Sequence, residues 1–320
     1  MLKSRSLVLT LLLVVAGAAV ALPPRMTIAT NPPGTLFFAV GSGIARVLQE
    51  ELDVRVSPRP YGSPSRFVPL VQRNEIPLAL NAVLEIGAAY QGREPYEESF
   101  GNLRVVARVM PLMHGVFVRA ATDVRRMEDV RGLTMVHQLR ASMTQQYIND
   151  AVLASGGLSA ADIRPVAVAH IIASIDALIE GRVDVAISGL GTAATRRAHA
   201  SIPGGIRALP LGELGTDEFM NAQLPGVRVV TVKPAPNLAG VEGPMKVAAY
   251  DVYLTTNADQ SDEDVYRITR ALHERWPSLQ KDYPALRGIA AEALAPASSP
   301  VPYHAGAMRY YREVGMWRDE

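Results

Sequence analysis

From Met26 onward, short runs of consecutive apolar residues alternate with stretches in which apolar positions recur every three or four residues. The first pattern is that of a buried strand and the second that of an amphipathic helix. Met26–Thr30 reads as a strand, followed by Asn31-Pro-Pro-Gly34 and a helix through Leu48. Val54–Ser57 is a second strand. Ser63-Pro-Ser65 opens a helix to about Arg73 with Phe67, Leu70 and Val71 on one face. Pro77–Leu80 is a third strand, Leu84–Tyr90 a helix, and Leu103–Met110 and His114–Ala120 two further strands.

A second series starts near Asp123. Leu133–His137 (strand), Ser142–Ala154 (helix), Ile163–Ala167 (strand), Ile171–Glu180 (helix) and Val183–Ser188 (strand) follow in turn, and Gly189-Leu-Gly191-Thr192 leads into another helix. Arg228–Val232 and Lys246–Thr255 are strands on either side of a Pro/Gly-rich passage. Asp262–Arg275 is a strongly amphipathic helix, and a helical C-terminal stretch follows it. Strand–helix–strand at this pace predicts two α/β modules in series with largely parallel sheets.

The segment before Met26 departs from this pattern. Lys3 and Arg5 precede an apolar run, Leu7 to Val20, that ends in Ala19-Val20-Ala21. Those are the three regions of a secretory signal, so the sequence predicts a leader over 1–21, cleaved after Ala21, and export to a periplasm. The run is shorter than the roughly 20 residues a membrane span needs. Loss of Lys3 and Arg5 leaves 30 basic against 31 acidic side chains, a balance unsuited to nucleic-acid binding. The absence of cysteine excludes thiol catalysis and thiolate metal sites. With 48% hydrophobic and 20% charged residues the chain has ample material for folded cores.

Candidate chemistry is sparse. Gly189-x-Gly191-x-x-Ala194 follows a strand and opens a helix as a dinucleotide loop does, but it lies deep in the chain. Glu213, the acidic residue at suitable distance, follows no convincing strand, so a tight turn is the better reading and no cofactor is expected. The six histidines (114, 137, 170, 199, 273 and 304) show no metal-ligand spacing. Gly41-Ser42-Gly43 lacks the pattern of a nucleophile elbow. Glu85, Asp176 and Asp184 are not visibly paired. Arg66 and Arg140 stand at helix starts, as solvent-exposed side chains or as carboxylate clamps. No enzyme site emerges.

The informative feature is positional. Helices start at Pro33-Gly34-Thr35, Ser63-Pro-Ser65, Ser142-Met143-Thr144 and Gly191-Thr192, each after a strand. Ligands of open α/β sheets bind at that edge, and helix N-termini offer N–H donors and partial positive charge to an anion.

These residues also carry a family resemblance. Gly34-Thr-Leu-Phe-Phe-Ala-Val-Gly41-Ser-Gly43-Ile-Ala45 resembles the G-G-x-Y-Y-P-x-G-G-A-I-A opening of the TAXI-type solute receptors of TRAP transporters. Gly62-Ser63, Leu80-Asn-Ala-Val-Leu-Glu85, Ala89-Tyr-Gln-Gly92, Ser142-x-Thr144 and Glu180-Gly-Arg-Val-Asp184 follow in the family's order. Pro302-Tyr-His-Ala-Gly306-Ala-Met-Arg-Tyr-Tyr-Arg-Glu-Val-Gly315 is similar to its tail.

The resemblance implies a type II periplasmic binding-protein fold, with two α/β lobes closing on a small organic anion such as glutamate or 2-oxoglutarate. The solute would then pass to TRAP membrane permease subunits. Lobe one would comprise 22–120 and 247–320 and lobe two 121–246, with His114–Ala120 and Lys246–Thr255 as the crossings, in a monomer. The expected ligand contacts are Gly34, Thr35, Leu36, Phe37, Ser63, Asn81 and Ala82 on lobe one. On lobe two they are Arg140, Ser142, Met143, Thr144, Gly189, Gly191 and Thr192. Thr35, Phe37 and Phe38 replace the family's second Gly and its Tyr pair, and Met143 replaces a Gly, so a more apolar carboxylate fits better. A ligand-sensing subunit that feeds a membrane signalling protein remains the alternative.

Overall fold

The computed structural model describes residues 24–140, 142, 144–296 and 299–317. The expected leader, 1–21, lies outside them. In the first lobe, β1 (Arg25–Thr30) is flanked in parallel by β2 (Arg55–Pro60) and β3 (Leu78–Ala82). The crossovers are α1 (Leu36–Leu52) and α2 (Pro64–Gln72), and α3 (Val83–Gln91) leaves β3 directly. Helix α1 lies close on the sheet because of its glycines: a Cβ at Gly41 would sit 2.5 Å from Thr30 Cγ2.

Two long strands join this lobe to the second. The expected pair of strands over 103–120 is one continuous strand, β4 (Leu103–Arg119), which passes through Pro111 without a break. Its partner is β10 (Met245–Asn257), antiparallel over Leu103–Met113. Val106 and Val109 are the extra residues of two bulges in that ladder, and Pro111 is paired in register with Asp251. Beyond Met113, β4 leaves β10 and pairs with β7 (Val185–Gly189) on one side and β8 (Ile206–Leu209) on the other.

In the second lobe β5 (Thr134–Leu139) runs parallel to β6 (Arg164–Val168) and to β7. Its helices are α4 (Thr144–Ser155), α5 (Ile171–Ile179), α6 (Ala193–Ser201) and α7 (Asp217–Gln223). Strand β9 (Arg228–Val232) pairs with the start of β10. After β10 the chain returns to the first lobe as α8 (Asp262–Glu274), α9 (Trp276–Asp282) and α10 (Ala305–Glu313). Trp276, Tyr311, Phe67 and Phe117 are fully buried. Among the described residues no helix is long and apolar enough to cross a membrane.

The carboxylates read as unpaired all have partners. Asp176 pairs with Arg197, Asp184 accepts from the backbone N–H of Thr134 at 2.9 Å, and Glu85 accepts from Ser65 and Tyr96. Glu213 does follow a strand, the short β8.

Candidate binding cleft

Six helix starts meet in one cleft of about 80 Å³ between the lobes. The first lobe contributes Gly34–Phe37 at α1, Ser63 and Pro64 at α2, and Ala82, Leu84 and Glu85 at α3. The second contributes Ser142 and Gln145 at α4, His170–Ile172 at α5, and Thr192 at α6. Leu112 and His114 of β4 and Tyr250 of β10 form the floor: Leu112 stands opposite Tyr250 in the ladder, and His114 is two residues further along the same face. Two roomier hollows, about 390 Å³ on the second lobe and about 270 Å³ beside α3, lack this convergence of helix starts. The smaller cleft is therefore the candidate on chemistry rather than size.

The caps explain why these turns present N–H groups. Thr35 Oγ1 accepts from Phe38 N at 3.2 Å, Thr192 Oγ1 from Thr195 N at 3.1 Å, and His170 Nδ1 from Ala173 N at 3.3 Å. Each cap satisfies an N–H in the first turn and leaves its neighbours pointing forward. Gly34, at φ +94°, lets the chain turn into α1 there. Ser63 differs from the other caps. It is 2% exposed, yet its hydroxyl makes no hydrogen bond. Asn31 Oδ1 and His114 Nε2 are likewise buried without a partner.

Burial holds His114 neutral by lowering its pKa to about 4. The amide nitrogen of Gln145 lies 3.3 Å from its Nδ1, so Nδ1 accepts and Nε2 carries the hydrogen. Tyr250 is pushed upward by burial and by the charge of Glu85. No Arg or Lys is among the described lining residues, and Glu85 is the single carboxylate there. The lobes touch across the cleft: a Cβ at Gly34 would lie 3.4 Å from Ile172 Cδ1. In the hollow beside α3, Tyr147 OH donates to Glu94 Oε2 at 3.3 Å.

Of the residues expected from sequence, the structure brings Gly34, Thr35, Leu36, Phe37, Ser63, Ala82, Ser142, Gly189 and Thr192 together around this space. Asn81 is not among them: it is buried in β3, where its Nδ2 donates to Thr255 Oγ1 at 2.6 Å and fixes β3 to β10. Arg140 is exposed outside the cleft, its backbone N–H spent on Val168 O, and Arg66 is exposed too. Gly191, at φ +75°, faces Leu238 rather than the cleft, which makes it a turn residue. Thr144 is the first residue of α4, and Met143 lies outside the described residues. The α5 start was missed, although it follows β6 as the other helix starts follow their strands. Nothing in the local pattern marks Leu112, His114 or Tyr250.

Among the described residues no group of three or more His, Asp or Glu is placed to hold a metal ion. No curated protein sequence matches the chain. A solved structure described as a periplasmic transporter is 11% identical, with 91% of this chain and 92% of that one covered and a TM-score of 0.54. A protein from Xanthomonas citri, solved with chloride bound, is also 11% identical, covering 92% of this chain and 98% of its own, with a TM-score of 0.50. The fold is that of the type II periplasmic binding proteins, two α/β lobes joined by crossing strands. The model of the NMT1-like family matches residues 28–315, nearly the whole described chain, and the protein belongs to that family.

Proposed function

We propose that this protein is an exported solute receptor that closes its lobes on a small, largely apolar carboxylate and presents it to a membrane permease. One observation carries the reading: six helix starts converge on a cleft between lobes, around a buried Ser63 hydroxyl with no protein partner. Each helix terminus stabilises an anion by about 0.3–1 kcal/mol, so several together replace a basic side chain. The apolar remainder of the lining, Phe37, Leu112, Leu139, Ile148 and Ile172 among it, suits a carbon skeleton. A volume of about 80 Å³ has room for about six waters, or a solute of that many non-hydrogen atoms or a few more.

The finer assignment rests on the sequence motifs. It places the protein among TAXI-type receptors, with a TRAP permease as partner and a leader removed after Ala21. The receptor acts as a periplasmic monomer whose lobes are 22–120 with 247–320, and 121–246. A thermal-shift screen of small organic acids tests this, because a ligand that binds only the folded state raises the melting temperature by mass action. The expected hits are monocarboxylates of four to six carbons. A screen in which sugars or cations raise the melting temperature and no acid does so overturns the reading.

A further inference from the structure

We propose that Glu85 sets the charge this cleft accepts: a monoanion whose far end carries a hydrogen-bond donor is taken, and a dicarboxylate is refused. The inference rests on the carboxylate-receptor reading and adds to it which carboxylates are admitted.

Glu85 is the one formally charged side chain among the described lining residues, and it is 1% exposed. It stands in the first turn of α3, where the helix terminus favours a negative charge. Its Oε1 accepts from Ser65 Oγ at 3.3 Å and from the Tyr96 hydroxyl. The hydroxyls around it feel that charge: Tyr96 and Tyr250 are both driven upward, by burial first and by Glu85 second.

Among the described lining residues there is no Arg or Lys to offset a second carboxylate. One anionic group can sit on the helix starts, against the unpartnered Ser63 hydroxyl. In a space of about 80 Å³ the second would then be buried beside Glu85 without a counter-charge. Like charges so placed cost several-fold to many-fold in affinity. A hydroxyl or ammonium at that end has the opposite effect, because a carboxylate accepts from several donors at once and can add it to the Ser65 and Tyr96 hydroxyls. Ser63 caps α2 and Glu85 stands in the first turn of α3, so the two ends of the solute are set by neighbouring helix starts.

The experiment uses the mature full chain and a matched five-carbon set: valerate, 5-hydroxyvalerate, 5-aminovalerate and glutarate. Calorimetry gives a Kd for each on the wild type and on Glu85→Gln. The wild type is expected to bind glutarate about a hundredfold more weakly than 5-hydroxyvalerate, and valerate between them. In Glu85→Gln the glutarate-to-valerate ratio of Kd values, which cancels any loss common to all solutes, falls by about tenfold or more. Should the variant fail to fold, the wild-type order alone decides: glutarate binding as tightly as valerate overturns the proposal. Equal ratios in wild type and variant overturn it while leaving the receptor reading intact. No binding by any of the four, nor by any acid in the screen, overturns the receptor reading and this proposal with it.

Discussion

Replacement of Gly34 separates two effects that a single mutation usually confounds. Gly34 has φ +94°, and a Cβ there would meet Ile172 Cδ1 at 3.4 Å, across the cleft from α1 to α5. The backbone strain of any side chain at this φ costs about 1–2 kcal/mol and is present whether the lobes are open or closed. It therefore lowers stability and cancels from affinity. The contact with Ile172 exists only with the lobes together, so it enters affinity alone. Alanine places its methyl at ordinary van der Waals range and leaves binding near wild type. Valine adds two methyls to a position already in contact, and overpacking of about 1–3 kcal/mol weakens binding about five- to hundredfold. Thermal unfolding of the ligand-free variants should show similar losses of about 2–8 °C for both. Calorimetry with the strongest acid from the screen should separate them. Wild-type affinity in Gly34→Val would mean that the lobes do not close on this surface.

Three further outcomes follow from the same structure. Ser63→Ala should leave unfolding stability unchanged, because the hydroxyl has no protein partner, yet weaken acid binding about fivefold, as calorimetry would read. His114 is held neutral with a pKa near 4, whereas in the unfolded chain it protonates near its ordinary value; stability is therefore lost as pH falls. Urea titrations should find about 2 kcal/mol less stability at pH 5 than at pH 7 from this group, a slope that His114→Gln reduces. Trp276 is fully buried and its Nε1 donates to Ile289 O at 2.9 Å, so Trp276→Ala should cost about 3–5 kcal/mol in chemical denaturation.

The local pattern revealed what depends on near neighbours. Strand–helix alternation located β1 to β3 and α1 to α3 within a few residues, and the rule that ligands meet helix starts gathered Gly34, Ser63, Ala82 and Thr192. It failed where the outcome depends on the partner strand. The sequence pattern divides 103–120 into two strands, but pairing with β10 and then with β7 carries one strand through Pro111. Ile206–Leu209 has only four residues and is held as β8 by pairing with β4, and α7 has only seven. Asn81 and Arg140 lie outside the cleft lining for a related reason: adjacency to a strand end does not reveal which way a side chain points. Asn81 turns inward to Thr255, and Arg140 turns to solvent. His114 and Tyr250 reach the cleft only because β4 and β10 cross beneath it, a long-range pairing that periodicity does not encode.

The central claim is that β4 and β10 join two lobes that close on a small acid. Small-angle X-ray scattering of the mature protein, with and without saturating amounts of the strongest acid from the screen, tests it most directly. The account predicts a smaller radius of gyration in the bound state, with a bound profile matching the closed arrangement in which Gly34 meets Ile172 and Tyr147 meets Glu94. An unchanged radius at saturation shown by calorimetry would contradict it.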